Sequence, residues 1–176
     1  RTLGVLGYGR IGHEVVRLLA PWEPRVLVTQ RTPVSEPGVD YVDLDTLLVH
    51  ADILVVACPL TEETHHLLDA SRLALMKPTA ILVNAARGPL VDEDALVAAL
   101  EKGRIACAAL DVYDVEPLPA HHRLLRAPNT VLTPHVGITT DANYAVYYRE
   151  AAENVAQNRR RLGPALVFER LWEETG

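Results

Sequence analysis

Leu6-Gly7-Tyr8-Gly9-Arg10-Ile11-Gly12 follows a short apolar run, Thr2–Leu6, and opens a stretch in which Ile11, Val15, Val16, Leu18 and Leu19 recur at helical spacing. The pattern is G-x-G-x-x-G set between a strand and a helix, and a second β-branched run, Arg25–Thr29, follows it. Each glycine has a physical task there. Gly7 permits the sharp turn, Gly9 lets the backbone approach a pyrophosphate, and Gly12 lets the helix pack close to the strand. Arg10 and Ile11 begin the helix, whose N–H groups and partial positive charge suit the phosphates.

Outward from this motif, strands and helices alternate. Pro21 and Pro24 end the first helix, and Pro33, Pro37 and Gly38 mark a loop after the second strand. A helix is expected over Leu44–His50, a strand over 53–57, a helix over 71–77 stopped by Pro78, and a strand over 80–84. Residues 92–102 carry an N-terminal acid cluster and end at Gly103, the best-capped helix in the pattern. Strands follow at 105–110 and 130–133, then a long helix over 139–162 that Gly163-Pro164 breaks. Strands apolar on both faces belong in a parallel sheet covered on each side. The expected fold class is therefore α/β, a doubly wound parallel sheet of the Rossmann type, with a long C-terminal helix.

Composition narrows the function. Hydrophobic residues make up 49% of the 176 and charged residues 23%, enough for a packed core. A net charge of −6 without a basic block argues against nucleic acid as the partner. No apolar run approaches the roughly 18 residues of a membrane span, and no signal-peptide pattern stands at the start. Cys58 and Cys107 read as buried free thiols of a reducing compartment, so a cytoplasmic protein is expected. Arg1 stands directly before a strand pattern, which suggests an upstream segment or a cut domain. His65-His66 and His121-His122 are surface-like pairs without the spacing of a zinc site, and no metal is expected. His13 and His50 lie in helices and read as structural.

The end of the second strand selects between dinucleotides. NAD sites commonly place Asp or Glu there to bond the ribose hydroxyls. This chain has Thr29-Gln30-Arg31-Thr32. The missing carboxylate removes repulsion against a 2′-phosphate and Arg31 can pair with one, which favours NADP over NAD. The opposite reading leaves Arg31 solvated, with Gln30 bonding the ribose of NAD.

Three later stretches carry a resemblance: Asn84-Ala85-Ala86-Arg87-Gly88, Leu110-Asp111-Val112-Tyr113-Asp114-Val115-Glu116-Pro117 and Thr133-Pro134-His135-Val136-Gly137. With the glycine motif they resemble, in order and approximate spacing, the D-isomer-specific 2-hydroxyacid dehydrogenases, and they span nearly the whole chain. The resemblance implies a hydride exchanged between a nicotinamide cofactor and a small 2-hydroxy or 2-oxo acid. It assigns Arg87 to the substrate, Glu116 and His135 to acid–base chemistry, and Asp111 to the nicotinamide side. It further suggests Cys58, Pro59, Thr64, Ala85 and Gly137 as cofactor contacts.

The residue types suit these roles. Arg87 lies just past a strand end, and its planar fork matches a carboxylate. Imidazole exchanges protons near neutral pH, and a carboxylate on its other nitrogen orients it. The resemblance also implies a division at 138/139. Residues 1–138 would be the dinucleotide-binding domain, and 139–176 a long helix returning toward a substrate domain absent from this chain. Tyr144, Tyr147 and Tyr148 make that helix a place for two subunits to meet, so a homodimer is expected. Ile138 stands where the family often has a small residue, which leaves the 2-hydroxy acid open. A relative acting on formate or phosphite, or a dinucleotide-sensing corepressor-like scaffold, keeps similar motifs and remains an alternative.

Overall fold

A computed structural model of the chain describes residues 1–32 and 36–157. It contains strands β1 (Thr2–Leu6), β2 (Arg25–Thr29), β3 (Val39–Tyr41), β4 (Ile53–Val56), β5 (Ile81–Asn84), β6 (Cys107–Leu110) and β7 (Thr130–Leu132). The helices are α1 (Arg10–Leu19), α2 (Leu44–His50), α3 (Ala70–Leu73) and α4 (Glu93–Glu101). The strands form one sheet in the order β3-β2-β1-β4-β5-β6-β7. Every pairing is parallel. This is the expected doubly wound Rossmann-type fold. The order reverses between β1 and β4, and the crevice beyond the C-terminal ends of those two strands is where such sheets take ligands.

Register follows from burial on both faces. Val5 lies between Val28 of β2 and Val55 of β4, and Leu82 between Leu54 and Ala108. The larger core cluster packs one sheet face against Leu47 and Leu48 of α2, Leu73 of α3, and Leu96 and Leu100 of α4. The other face buries Leu3, Val5, Val26 and Val28 beneath Val15, Val16 and Leu19 of α1. Each fully buried aliphatic side chain contributes roughly 1.5–3 kcal/mol. Together they make the sheet edge a rigid base for the loops above it.

Capping separates α1 from the other helices. Asp43, Asp69 and Asp92 each accept a backbone N–H in the first turn of α2, α3 and α4. Gly9 stands at the N-cap of α1, where no side-chain hydrogen bond is made. The first-turn donors of α1 are thus without the acceptor that a capping side chain supplies elsewhere, as an anion site requires.

Some expectations shift. Residues 39–41, just past the expected loop and assigned to no element by the sequence pattern, form an edge strand, because Val39 and Tyr41 pair with Val26 and Val28. The helix expected over 71–77 is the single turn Ala70–Leu73, followed by non-helical backbone up to Pro78. Cys58 and Cys107 are free but half-buried rather than buried, since both lie at or beyond a strand end.

The chain divides into two compact units, Arg1–Val136 and a second beginning at Gly137. Within the second, residues 141–157 form helix α5, whose first turn is closed by Asn143 N–H donating to Thr140 Oγ1 at 3.1 Å. The rest of the helix expected to 162 lies outside the described residues. Side chains of α5 over 141–157 are exposed, Tyr144, Tyr147 and Tyr148 among them. No described helix is long and apolar enough to cross a membrane.

Candidate active site

All strands run one way, so residues following each strand collect along one edge of the sheet. Gly7 follows β1, Gln30 and Arg31 follow β2, Cys58 and Pro59 follow β4, and Ala85 and Arg87 follow β5. Asp111 and Glu116 follow β6, and His135 follows β7. The parallel topology therefore brings distant stretches of sequence to one place.

At the switch point, Gly7 has φ +92°, and a Cβ there would stand 2.5 Å from the Cys58 backbone nitrogen. A side chain is excluded on both conformational and steric grounds. A Cβ on Gly12 would come within 2.6 Å of the Gly7 carbonyl oxygen, so α1 packs as closely as the motif requires. Gly9 is different: nothing lies within 4 Å of where its Cβ would be. Its missing side chain leaves open space at the tip of an uncapped helix, a cradle that a Cβ would partly fill. Arg10 and Ile11 are exposed beside it.

Gln30 Oε1 accepts the Tyr8 N–H at 3.3 Å, and Gln30 Nε2 donates to the Thr32 carbonyl at 2.7 Å. Both ends of this amide are engaged in tying the end of β2 to the glycine loop. Arg31 is exposed just beyond it. On the same rim His13 stacks on Tyr8 and pairs with Glu36 at 3.1 Å. Thr64 donates to the Pro59 carbonyl at 2.8 Å, closing the turn after β4. Burial pushes the Cys58 thiol up, and the Cys58 backbone packs against Gly7.

Further along the edge, buried Asn84 shapes the turn that presents Arg87. Its Nδ2 donates to the Arg87 carbonyl at 2.9 Å and its Oδ1 accepts the Ala86 N–H at 3.1 Å. The next residue, Gly88, presses on the neighbouring loop: a Cβ would lie 2.0 Å from the Tyr113 carbonyl carbon. Gly88→Ala is expected to force these two backbones apart and to cost about 2 kcal/mol. A urea titration would register this as a lowered midpoint at unchanged slope.

His135 and Glu116 meet, with Nδ1 2.6 Å from Oε2. Glu116 Oε1 accepts the Tyr113 N–H at 3.0 Å. The His135 hydrogen bond first, then the Tyr113 N–H, hold the Glu116 carboxyl below its ordinary value, and the Arg87 charge adds to this. Glu116 is thus a carboxylate near neutral pH and Nδ1 of His135 its donor, so Nε2 is the nitrogen that faces outward chemistry. His135 has φ +54°. Its loop is held by Asp111, whose Oδ1 accepts the Val136 N–H at 2.9 Å and the Thr133 hydroxyl. Tyr113 donates its hydroxyl to the Thr133 carbonyl at 2.8 Å, joining the ends of β6 and β7.

A cavity of about 510 Å³ opens beside the pair, lined by Glu116 and His135 together with Pro117, Leu118, Leu125 and Leu132. The pair is otherwise open, with side chains 43% and 35% exposed for His135 and Glu116. The arrangement can bind an anion at Arg87 and exchange a proton at His135. Gly137 opens the second unit. Among the described residues no group of three or more His, Cys, Asp and Glu is placed to hold a metal ion. Asn84, Gly88, Tyr113 and Thr133 lie inside the quoted motifs, yet their parts in building the site appear only in three dimensions.

Residues 1–137 match the family described as D-isomer specific 2-hydroxyacid dehydrogenase, NAD binding domain. The chain is 42% identical over 173 residues to a glyoxylate reductase of Thermofilum pendens, covering 95% of this chain and 51% of that protein. It is 48% identical over 145 residues to glyoxylate/hydroxypyruvate reductase B of Escherichia fergusonii, covering 80% and 45%. Among solved structures it is similar to D-lactate dehydrogenase with NAD+ from Lactobacillus jensenii (TM-score 0.75, 36% identity, 81% and 48% covered). It is also similar to a D-isomer specific 2-hydroxyacid dehydrogenase from Xanthobacter autotrophicus in complex with NADPH and MES (TM-score 0.73, 43% identity, 77% and 44% covered). The chain spans about half the length of the curated relatives it matches.

Proposed function

Because the chain belongs to the D-isomer-specific 2-hydroxyacid dehydrogenase family, we propose that it is the dinucleotide-binding unit of an NAD(P)-dependent oxidoreductase acting on a small D-2-hydroxy acid or its 2-oxo counterpart. The observation that carries this reading is the 2.6 Å His135–Glu116 pair standing on the same sheet edge as the glycine cradle and Arg87. Glyoxylate or hydroxypyruvate is the favoured substrate class, since reductases of those acids are among its relatives.

The cradle suits a dinucleotide. Gly9 leaves space for a pyrophosphate, and the uncapped first turn of α1 offers it N–H donors. Gly7, Arg10, Ile11 and Gly12 surround that space in our reading, and Pro59, Thr64, Ala85, Asp111 and Gly137 complete the cofactor side. NADP is favoured over NAD, because Arg31 is exposed just beyond the end of β2 and no carboxylate follows that strand directly. Gln30 accepts from the glycine loop through Oε1 and donates to the Thr32 carbonyl through Nε2, so its part in ribose recognition is indirect.

The bound nicotinamide supplies or accepts the hydride. Arg87 holds the substrate carboxylate through its planar fork and draws charge toward the adjacent carbonyl. In the reductive direction His135 delivers the Nε2 proton to the 2-oxo oxygen; in the oxidative direction Nε2 takes the hydroxyl proton. Glu116 fixes the ring orientation through Nδ1, leaving Nε2 to exchange the proton.

Hydride transfer requires water to be excluded, whereas His135 and Glu116 are open in this chain. We place the closing surface in a separate substrate domain, since the chain spans about half the length of the curated relatives it matches. Homodimer formation and a cytoplasmic location are part of the proposal, supported by the exposed tyrosines of α5 and by the two free thiols. The expected result is little or no turnover by the chain alone. Measurable, saturable reduction of glyoxylate, hydroxypyruvate or pyruvate by it would contradict the need for a second domain. Absence of such activity from the complete protein would contradict the assignment itself.

A further inference from the structure

We propose that Glu93, the first residue of α4, is a positioning residue for Glu116: its carboxylate holds both limbs of the loop that carries Glu116. Asp114 stands two residues before Glu116 and donates its N–H to Glu93 Oε1 at 3.0 Å. His122 stands six residues after Glu116, and its Nε2 lies 3.3 Å from Glu93 Oε2. His122 Nδ1 accepts the Leu124 N–H at 3.4 Å, which ties the ring to the backbone of its own limb. One side chain therefore spans the loop like a clasp.

An acid in the first turn of a helix ordinarily faces water and complements the helix dipole. Glu93 does not: its side chain is 12% exposed. Burial pushes its carboxyl up, and the Asp114 N–H and the His122 ring oppose that rise. A largely covered acid is tolerated where polar partners meet it, and here the partners are the Asp114 N–H and the His122 ring, on the two limbs of one loop. The surroundings reinforce the clasp. Arg123 pairs with Asp94 and Glu101 of α4 at 3.1 and 3.5 Å, laying the far limb along the helix. Gly88 presses the near limb from the Arg87 side. The Tyr113 N–H that serves Glu116 Oε1 precedes Asp114 directly, so release of Asp114 loosens Glu116.

This inference rests on reading Glu116 and His135 as the acid–base pair. Its test is the titration of the Glu116 carboxyl, followed by carbon-13 NMR in this chain and in Glu93→Ala and Glu93→Gln variants. In the unmodified chain the midpoint lies below the ordinary carboxylate value of about 4.3. Glu93→Ala is expected to raise it toward that value. Glu93→Gln, whose carbonyl still accepts the Asp114 N–H, is expected to restore most of the depression. Dinucleotide affinity, measured in the same samples, stays within about twofold, because the cradle lies at other strand ends.

In the complete dehydrogenase Glu93→Ala lowers kcat about tenfold, the cost of a misplaced group. A Glu116 midpoint unmoved by Glu93→Ala overturns the proposal, as does an equal displacement by Ala and Gln. If Glu93→Ala does not fold, His122→Ala releases one limb and moves the midpoint the same way by less; no movement there overturns it too. Failure of the functional reading is separate, and shows as a chain that binds no dinucleotide.

Discussion

In the complete dehydrogenase, His135→Asn is expected to lower kcat for 2-oxo acid reduction about a thousandfold, within the range typical of a lost general acid. Asparagine is the informative replacement. His135 sits at φ +54°, a region that asparagine adopts more readily than most residues, so the loop keeps its course. The variant also keeps a polar group near Glu116 but has no ring nitrogen to pass a proton to the substrate oxygen. Dinucleotide affinity should remain within about twofold, since the cradle contacts are unchanged. Steady-state kinetics with a separate binding titration distinguishes this from a general loss of structure. Retention of kcat within tenfold would remove His135 from the chemistry.

Gly9→Val is expected to weaken dinucleotide binding about a hundredfold, or about 2.7 kcal/mol, while leaving thermal stability almost unchanged. The contrast among the glycines makes this specific. A Cβ at Gly7 or Gly12 strikes backbone within 2.6 Å, so substitutions there damage the fold itself. A Cβ at Gly9 meets nothing within 4 Å, so valine is accommodated and fills the space the pyrophosphate needs. Paired melting curves and binding titrations check both halves. Unchanged affinity in a folded Gly9→Val chain would mean that the phosphates bind elsewhere.

Much of this architecture is legible along the chain because the motif is local. Gly7, Gly9 and Gly12 fall within six residues, and the strand and helix on either side identify their use. Arg87, Glu116 and His135 are legible as residues that follow apolar strands, and a parallel sheet turns that shared position into proximity. What escapes the sequence is contact between segments far apart. Glu93 and Asp114 are 21 residues apart, and nothing near Glu93 in the sequence marks its side chain as covered. Gly88 reads as half of a Gly-Pro turn, yet it is the approach of Tyr113 that excludes a side chain there. His122 reads as half of a surface pair, although its two nitrogens join Glu93 to the Leu124 backbone. Edge strand Val39–Tyr41 is only three residues long and follows Pro37-Gly38, so its pairing with β2 overrides a loop-like composition.

The most direct test of the central claim is a nicotinamide-fluorescence titration of the 176-residue chain with NADPH and with NADH. The expected result is saturable binding of both, tighter for NADPH, with the signal lost in Gly9→Val. Tighter binding of NADH would overturn the part given to Arg31. Saturable binding of neither would contradict the assignment of this chain as a dinucleotide-binding unit.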